Sequence, residues 1–280
     1  MSKNIFIVGA NGQLGTALRE LYPEAASADV DELDITNEAS VMSYNWSGID
    51  TVINAAAYTN VDGAETTEGR RAAWAVNAAA VGHLSRACSQ YDMALVHISS
   101  DYVFDGMQET HTETEAFSPL GVYAQTKAAG DIAASLTPKH FILRTSWVIG
   151  DGNNFVRTMK SLAEKGIDPS VVNDQVGRIT FTRDLALGIQ HLLENDASTG
   201  IYNLTNEGES VSWEMIAKDV YSLCGHDPGR VSGVTTEQYY EGKSGIAPRP
   251  LQSTLDLAKI SKTGFTPRNW RTALEEYLTE

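Results

Sequence analysis

The sequence predicts an α/β protein, with a doubly wound parallel β-sheet and a smaller second α/β lobe. Two observations support this fold class. Short, wholly apolar runs alternate with longer alanine-rich or amphipathic stretches, and a glycine-rich turn follows the first apolar run directly. Runs this short do not form helices, whereas strands of a parallel sheet are apolar throughout because crossover helices cover both faces. The alternation is therefore typical of βαβ units.

Each expected element follows from its own pattern of apolar residues. The strands of the first half are the apolar runs Asn4–Val8, Asp50–Ile53, Ala94–Ile98 and His140–Leu143. The helices between and after them are Gln13–Leu21, Arg70–Tyr91 and Tyr123–Leu136. After about residue 148 the alternation loosens, and we expect a helix at Phe155–Lys165, a polar loop at Asn173–Thr180, one more strand at Ile201–Leu204 and a helix near Trp213–Leu223.

Composition and charge exclude several classes of protein. No apolar run approaches the ~20 residues that a bilayer span requires, so no membrane association is expected. The 36 acidic and 21 basic residues give a formal net charge of −15, which repels nucleic acid. Two cysteines are too few for a disulfide framework, and the six histidines form no metal-ligating pair, so no metal is predicted. Because the chain starts without a charged-then-apolar leader, we expect it in the cytoplasm.

The first expected strand leads into a glycine-rich turn, Gly9-Ala-Asn-Gly12-Gln-Leu-Gly15, and a helix follows at once. Glycines allow a tight turn and a close approach of the backbone to a pyrophosphate, whose charge the N-terminus of the helix then meets. The spacing is G-x-x-G-x-x-G, and a plain glycine-rich turn is the alternative. The strand before the turn and the helix after it favour a dinucleotide site.

An acidic residue at the end of the second strand should bind the adenosine ribose, about 20 residues after the turn. Asp29 and Asp31 lie there, and no Arg or Lys occurs between Glu20 and Asp50. A 2′-phosphate would meet carboxylates at this place, so the sequence favours NADH over NADPH as the cofactor. The alternative is that either aspartate is only a turn residue.

A second pattern points to proton chemistry. Tyr123 and Lys127 are four residues apart, which places both on one face of a helix. A nearby ammonium stabilises a phenolate, so we expect Lys127 to lower the pKa of Tyr123 and to grip the nicotinamide ribose. Ser100 follows a central strand and would offer a hydroxyl to a substrate carbonyl. The three residues suit carbonyl reduction, although an exposed helix face with an i,i+4 pair is the alternative for the Tyr-Lys spacing.

In this order the turn, acid, serine, tyrosine and lysine resemble the extended short-chain dehydrogenase/reductases. Further blocks resemble, within that superfamily, the dTDP-4-dehydrorhamnose reductase family. They are spread over nearly the whole chain, as Asn54–Asp62 with Ala64–Glu65, Ser99–Gly106, Arg144–Trp147, Asn154–Phe155, Asn173–Gln175 and Arg249–Ser253.

The resemblance implies reduction by NADH or NADPH of the C4 keto group of dTDP-4-dehydro-6-deoxy-L-mannose, giving dTDP-L-rhamnose. The 3,5-epimerase that makes this dTDP-sugar is then a candidate partner. The implied fold is a Rossmann domain at residues 1–148 and about 182–205, with a nucleotide-sugar lobe at about 149–181 and 206–280.

The resemblance also assigns residues to each ligand. For the dinucleotide these are Gly12, Gln13 and Leu14 at the pyrophosphate, Asp29 at the ribose, Asp34 and Ile35 at the adenine, and Ala57, Tyr58 and Thr59 along the cleft. Ser100 and Asp101 would meet the sugar, with Tyr123 as the proton donor and Lys127 as its electrostatic partner. Trp147 would pack on the substrate, or else be plain core. We expect Arg249 to bind the substrate diphosphate, because a guanidinium matches phosphate oxygens, and a surface ion pair is its alternative.

Four positions depart from the family pattern. Ile149 replaces a tyrosine that is frequent after the Trp-Val pair. Ser100 stands where Thr is usual and keeps the hydroxyl. Ile179 replaces a proline, which changes the shape expected of a substrate loop. Ala17 stands where some members have a glutamate that joins a magnesium-bridged dimer, so no such dimer is expected.

Other functions give different patterns. A nucleotide-sugar 4,6-dehydratase would have Glu after Asp101, but Tyr102 follows it here, while an epimerase stays open. A serine hydrolase would need a G-x-S-x-G turn, which the chain lacks. A non-catalytic regulatory subunit on the same fold would not need Ser100, Tyr123 and Lys127 together.

Overall fold

A six-stranded parallel β-sheet lies at the centre of the computed structural model, which describes residues 4–195 and 197–279. Within these residues the strands are β1 (Ile5–Val8), β2 (Ala26–Ala28), β3 (Thr51–Asn54), β4 (Ala94–Ser100), β5 (His140–Thr145), β6 (Val148–Ile149), β7 (Ser170–Val172), β8 (Val176–Gly177), β9 (Thr180–Phe181), β10 (Gly200–Asn203), β11 (Val211–Ser212) and β12 (Ser232–Val234). The helices are α1 (Gln13–Leu21), α2 (Glu38–Ser43), α3 (Thr67–Trp74), α4 (Ala80–Gln90), α5 (Val122–Ser135), α6 (Phe155–Glu164), α7 (Thr182–Glu194), α8 (Trp213–Leu223), α9 (Thr236–Tyr240), α10 (Ala258–Ser261) and α11 (Trp270–Thr279).

The strand order of the central sheet brings the carboxyl ends of its strands to one edge. The strands lie in the order β10-β5-β4-β3-β1-β2, and each neighbouring pair is parallel. The order reverses at β1, which has β2 on one side and β3 on the other. In open α/β sheets, ligands bind outside the carboxyl ends of the strands at such a switch point.

Alternate residues of the strands build a core on each face of the sheet. Phe6 and Val52 face one side, where they pack with residues of α2 and α4. Ile7 and Ile53 face the other side, where they pack with residues of α1 and α7. Because both faces are covered, the strands are apolar on both, which is why the sequence shows them as continuous apolar runs.

A third apolar cluster is formed by elements after residue 148. Ile149, Val156, Val220 and Trp270 are among its buried members. Ile260 of α10 packs instead with the sheet cluster of α1 and α7. Among the described helices, none is long and apolar enough to cross a membrane.

The structure confirms the α/β fold class and the expected elements of the first half. The five expected strands are present, each within two residues of its expected bounds, and α1 and α8 have the bounds that the sequence predicts. The expected helix Arg70–Tyr91 is longer. It begins at Thr67, where Thr66 caps it by accepting from the Gly69 N–H, and the π-helical segment Ala75–Ala79 interrupts it.

The predicted polar loop Asn173–Thr180 is wrong in part, because it contains β8 and the start of β9. Thr180 is buried, and β9 pairs in parallel with β6. Ile179 is also fully buried, so the residue that replaces the family proline packs in the core of the second half.

Candidate active site

A cleft of about 920 Å³ opens at the carboxyl ends of β1, β3, β4 and β5. It brings together most of the residues that the sequence predicts for the two ligands. These are Gly9, Gly12, Gln13, Leu14, Asp29, Asp34, Ile35, Ala57, Thr59, Ser100, Asp101, Tyr123, Lys127 and Trp147.

The glycine-rich turn crosses the floor of this cleft. Gly9 has a φ of +76°, and a Cβ there would lie 2.6 Å from the Ala56 nitrogen, so the turn requires glycine. Gly12 is the N-cap of α1, and no side chain caps the helix. The free N–H groups of α1 therefore border a cleft wide enough for a pyrophosphate, which fits a dinucleotide.

Gly15 and Tyr58 lie beside the cleft rather than on its lining. A Cβ on Gly15 would lie 2.1 Å from the Gly9 carbonyl oxygen, so this glycine lets α1 pack closely on the turn. The Tyr58 ring packs with Ala64 and Val122. Its backbone N–H donates to Asn77 Oδ1 at 2.8 Å, in the π-helical segment, which fixes the loop after β3.

The acidic loop after β2 is ordered by its own carboxylates. Asp29 accepts from the Asn11 N–H and from the Val30 N–H, each at 2.8 Å. Glu32 accepts from the Asp29 N–H at 2.9 Å. The Thr36 hydroxyl and N–H both donate to Asp34 and lower the pKa of its carboxyl. Carboxylates thus line the edge of the cleft where an adenosine ribose would lie.

Helix α5 presents Tyr123 and Lys127 to the same cleft. The loop after β3 fixes where the helix begins, because Glu65 Oε1 accepts from the Val122 N–H at 2.8 Å. Lys127 Nζ donates to the Ile98 carbonyl at 2.6 Å, and burial lowers the pKa of this lysine to about 8. The lysine is thus held against the strand that leads to Ser100.

The expected lowering of the Tyr123 pKa is wrong in this structure. Burial raises the pKa of Tyr123 to about 12, the Asp101 carboxyl raises it further, and the Ser100 hydroxyl opposes both. Burial is the largest cause of this rise, and the Lys127 ammonium donates to the Ile98 carbonyl. The phenol is consequently protonated at neutral pH, which is the form that a proton donor needs.

Asp101 is a buried carboxyl beside the proton-donating residues. The Ser100 hydroxyl donates to its Oδ1 at 3.0 Å, while Oδ2 has no hydrogen-bond partner within the part of the chain that the structure describes. Burial raises the pKa of Asp101 to about 6, although neighbouring serine hydroxyls lower it. A buried, incompletely bonded carboxyl on a cleft is the kind of group that binds ligand hydroxyls.

Replacing Asp101 by Asn is expected to stabilise the protein at neutral pH. The folded protein holds this proton to a higher pH than an ordinary Asp, so stability falls as pH rises between the ordinary value of 3.8 and about 6. Asn has no charge to bury. We therefore expect the melting temperature of the Asp101→Asn variant to exceed that of the unsubstituted protein by about 3 °C or more at about pH 7.5. The difference should shrink at about pH 4.5.

The matched control is Asp31→Asn, in the exposed acidic loop. Melting curves of this variant should follow those of the unsubstituted protein at both pH values. A gain at Asp101 that is the same at both pH values would show that its ionisation is not the cause.

Several cleft residues were missed at the level of sequence, among them Trp213 and Thr145. Trp213 stacks on Trp147 with ring centroids 3.9 Å apart and planes 19° from parallel. Trp147 has a φ of +48°, a strained conformation that holds its ring at the cleft. Thr145 is buried at the carboxyl end of β5, opposite Ser100 in the strand register. The sequence could have indicated Thr145, because it lies at the end of a predicted strand. Trp213 could not be found in this way, because only the fold brings it to Trp147.

Arg249 does not line the cleft. Its guanidinium pairs with Asp62 Oδ2 at 2.8 Å and donates to the Ala247 carbonyl at 2.7 Å. It also lies over the Tyr240 ring, 4.9 Å from the centroid. The ion-pair alternative thus describes Arg249 in this structure, and diphosphate binding by Arg249 stays a prediction.

A parallel sheet with a dinucleotide turn at its switch point, together with Ser100, Tyr123 and Lys127 in one cleft, defines a short-chain dehydrogenase/reductase. The sequence model of the family described as RmlD substrate binding domain matches residues 3–280. The chain belongs to this family, that of the dTDP-4-dehydrorhamnose reductases, and is an oxidoreductase.

Several similar proteins match this chain over nine-tenths or more of their length. The chain is 38% identical to a dTDP-4-dehydrorhamnose reductase of Aggregatibacter actinomycetemcomitans, over 97% of each chain. It is 38% identical to that of Mycobacterium tuberculosis H37Rv, over 98% of this chain and 91% of the other. The solved dTDP-4-dehydrorhamnose reductase of Bacillus anthracis, in complex with NADP, superposes with a TM-score of 0.91 at 35% identity and covers 100% of this chain and 99% of its own.

Proposed function

We propose that the protein reduces the C4 keto group of dTDP-4-dehydro-6-deoxy-L-mannose and so makes dTDP-L-rhamnose. The observation that supports this most strongly is the convergence of Ser100, Asp101, Tyr123 and Lys127 on one cleft with the dinucleotide turn. Relatives at 36–38% identity that carry the name dTDP-4-dehydrorhamnose reductase support the sugar and the base.

The chain offers a place for each part of a nicotinamide dinucleotide. The N-terminus of α1, at Gly12 to Leu14, would hold the pyrophosphate, and Asp29 would accept from the ribose. Asp34 and Ile35 would border the adenine. When bound, this cofactor supplies the hydride. Lys127 would hold the nicotinamide ribose through the ammonium that now donates to the Ile98 carbonyl.

The residues of the chain then supply the proton. Tyr123 is protonated at neutral pH and lies in the same buried corner as Ser100. In our proposal the Ser100 hydroxyl donates to the ketone oxygen and orients it, and Tyr123 gives its proton to that oxygen as the alcohol forms. Lys127 is the cation that stabilises the phenolate left behind.

The substrate would lie in the cleft beside the dinucleotide. Asp101 Oδ2 would accept from a sugar hydroxyl, and the stacked Trp147 and Trp213 would provide an apolar surface for the sugar or the base. We propose that residues 1–148 and about 182–205 hold the dinucleotide and that about 149–181 and 206–280 hold the nucleotide sugar. The distribution of the core clusters supports this division in large part. The exceptions are Trp147, which packs with the second cluster, and Leu255, Leu257, Ile260 and Phe265, which pack on the dinucleotide side.

Turnover of a panel of nucleotide sugars tests the proposal. The protein is incubated with NADH or NADPH and with 4-keto sugars that differ in base and in configuration, and the loss of nicotinamide absorbance is followed. We expect stoichiometric oxidation with dTDP-4-dehydro-6-deoxy-L-mannose. The alternative outcome is reduction of dTDP-4-keto-6-deoxy-D-glucose. A relative in Streptomyces niveus that is named dTDP-4-keto-6-deoxy-D-glucose reductase is 35% identical over 99% of this chain.

Two further outcomes would contradict the proposal and indicate another function. Sugar conversion without net loss of NADH would indicate an epimerase, and no turnover of any sugar would favour a non-catalytic subunit. Association with the 3,5-epimerase and location in the cytoplasm stay predictions.

We further propose that NADH is preferred over NADPH. Asp29 and Glu32 together place negative charge where a 2′-phosphate would lie. Replacing Asp29 by Ser removes one carboxylate and is expected to raise the ratio of kcat/KM for NADPH to that for NADH about tenfold. Steady-state rates with each cofactor measure this ratio.

Asp31→Ser is the control for this prediction, because Asp31 belongs to the same loop but does not line the cleft. Its cofactor ratio should stay that of the unsubstituted protein. A preference for NADPH in the unsubstituted protein would contradict the proposal and would point to Arg19, whose guanidinium donates to Asn11 Oδ1 at 3.3 Å beside this loop.

A further inference from the structure

A cluster of buried ionisable side chains lies beneath the cleft, and the proposed mechanism uses only one of them. Lys127, Asp131, Arg144 and His97 are each no more than 2% exposed. Asp131 follows Lys127 by four residues on α5, so the two lie one above the other on one helix face. Charges are rarely buried this deeply unless they are paired, so the arrangement of the cluster requires a reason.

Arg144 fixes the carboxylate of Asp131. Its Nε donates to Asp131 Oδ2 at 3.0 Å. The guanidinium is itself held, because Nη1 donates to the Glu113 carbonyl at 3.2 Å and because the Phe104 and Phe117 rings each lie 5.1 Å from the guanidinium carbon. The carboxylate thus has one orientation within the cluster.

His97 adds no charge to this cluster. Burial and the nearby Lys127 ammonium hold the pKa of His97 well below its ordinary value, so the ring is neutral. Its Nδ1 lies 3.3 Å from Asn54 Nδ2, which donates to it, and we assign the ring proton to Nε2 on that basis. Nε2 lies 4.0 Å from Asp131 Oδ1, which is too far for a hydrogen bond, and neither atom has a hydrogen-bond partner among the described residues.

Lys127 needs a compensating charge at this depth. Burial disfavours its ammonium form, and Asp131 is the group that opposes this loss of charge. A lysine without its third proton would give up much of its attraction for a phenolate. Burial also raises the pKa of Asp131, and the Arg144 guanidinium, the Ser99 hydroxyl and the Lys127 ammonium oppose that rise. Asp131 and Lys127 thus each favour the charged form of the other.

We propose that Asp131 is a positioning residue of the reaction: its buried carboxylate, clamped by Arg144, keeps Lys127 in the ammonium form from which it acts on Tyr123 and the ribose. This inference rests on the proposed function. Asp131 itself lies one helical turn below Lys127 and does not line the cleft.

Other ionisable groups around Lys127 do not supply this compensating negative charge. Tyr123 on the same helix is protonated, and His97 on β4 is neutral. Arg144 on β5 is a cation, which would disfavour a second one. Asp101, after β4, is directed at Ser100 and the cleft, and it raises the pKa of Tyr123 rather than that of Lys127.

The test is the pH dependence of catalysis in the variant Asp131→Asn. In the unsubstituted protein, kcat should fall as pH rises through about 8, where Lys127 loses its proton. In the variant this alkaline limb should move down by about one pH unit or more, because an opposite charge near the lysine is gone. Its activity should therefore recover at about pH 6, where the lysine is charged again.

Three variants separate positioning from mere support of the fold. Asp131→Glu keeps the charge and should keep the limb near that of the unsubstituted protein. Asp184→Asn removes another buried carboxylate, paired with Arg268 outside the cleft, and should leave the limb unmoved. If Asp131→Asn does not fold because Arg144 is left unpaired, the double variant Asp131→Asn, Arg144→Gln removes both charges. Its limb should also move down, but by less than in Asp131→Asn, because the Arg144 cation that disfavours the lysine ammonium is removed as well.

A second measurement keeps this test independent of the sugar. The affinity for NADH, followed by nicotinamide fluorescence, should weaken over the same pH range in which kcat falls, since Lys127 would hold the ribose. If the protein turns over no keto sugar, the proposed function fails while the shift in NADH binding still tests Asp131. An alkaline limb that stays in place in both measurements, with activity lowered equally at every pH, would overturn the inference.

Discussion

The variant Tyr123→Phe is expected to lose activity by about 100-fold or more, with nearly unchanged affinity for NADH. The substitution removes the phenolic proton and keeps the ring, so the shape of the cleft is preserved. The loss should appear in kcat, because the missing interaction acts when the alcohol forms and not when the dinucleotide binds. Steady-state rates and a separate titration of NADH binding measure the two effects.

Tyr102→Phe is the matched control. Tyr102 lies in the same cleft, edge-on to Tyr123 with ring centroids 5.4 Å apart, and burial raises its pKa as well. Our account gives it no proton transfer, so its variant should retain activity within a few fold. Equal losses in the two variants, or none in Tyr123→Phe, would remove Tyr123 from the mechanism.

The variant Gly15→Ala is expected to destabilise the protein by about 3 kcal/mol, near the upper end for overpacking. An added Cβ would lie 2.1 Å from the Gly9 carbonyl oxygen and 2.8 Å from two backbone atoms of Ala10. These neighbours are backbone and cannot rotate away, so α1 must move off the turn. The same movement should weaken NADH binding, since α1 supplies the N–H groups for the pyrophosphate. Urea unfolding and NADH titration measure both effects.

Gly82→Ala controls for the general effect of alanine in a helix. Gly82 belongs to α4, and a Cβ there would meet no atom within 4 Å. The variant should gain about 0.5–1 kcal/mol of stability, because Ala restricts the unfolded chain more than Gly does. If Gly15→Ala were as stable as the unsubstituted protein, close packing of α1 on the turn would not be the reason for glycine there.

Much of the fold could be predicted because the parallel sheet makes its strands apolar on both faces. The runs around Phe6, Val52 and Leu95 stand out for this reason, and α1 is marked by the turn before it. Helix α7 and the strands β8 and β9 were not predicted. Strands of two residues have no measurable periodicity, and α7 begins after Phe181 without a side-chain cap.

The site could be predicted where its residues are close in sequence or follow a strand. The spacing of Tyr123 and Lys127 and the place of Ser100 after β4 are of this kind. The raised pKa of Tyr123 could not be predicted, because it depends mainly on how deeply the fold buries the phenol. The contact between Trp147 and Trp213 likewise depends on how distant elements meet.

The most direct test of reduction at a ketone uses NADH that carries deuterium at its transferable position. The protein is given this NADH and dTDP-4-dehydro-6-deoxy-L-mannose, and the product is analysed by NMR and mass spectrometry. We expect one NADH to be oxidised for each sugar converted, with deuterium on the carbon that bore the keto oxygen. Conversion without net oxidation of NADH, or a product without deuterium at that carbon, would contradict the account.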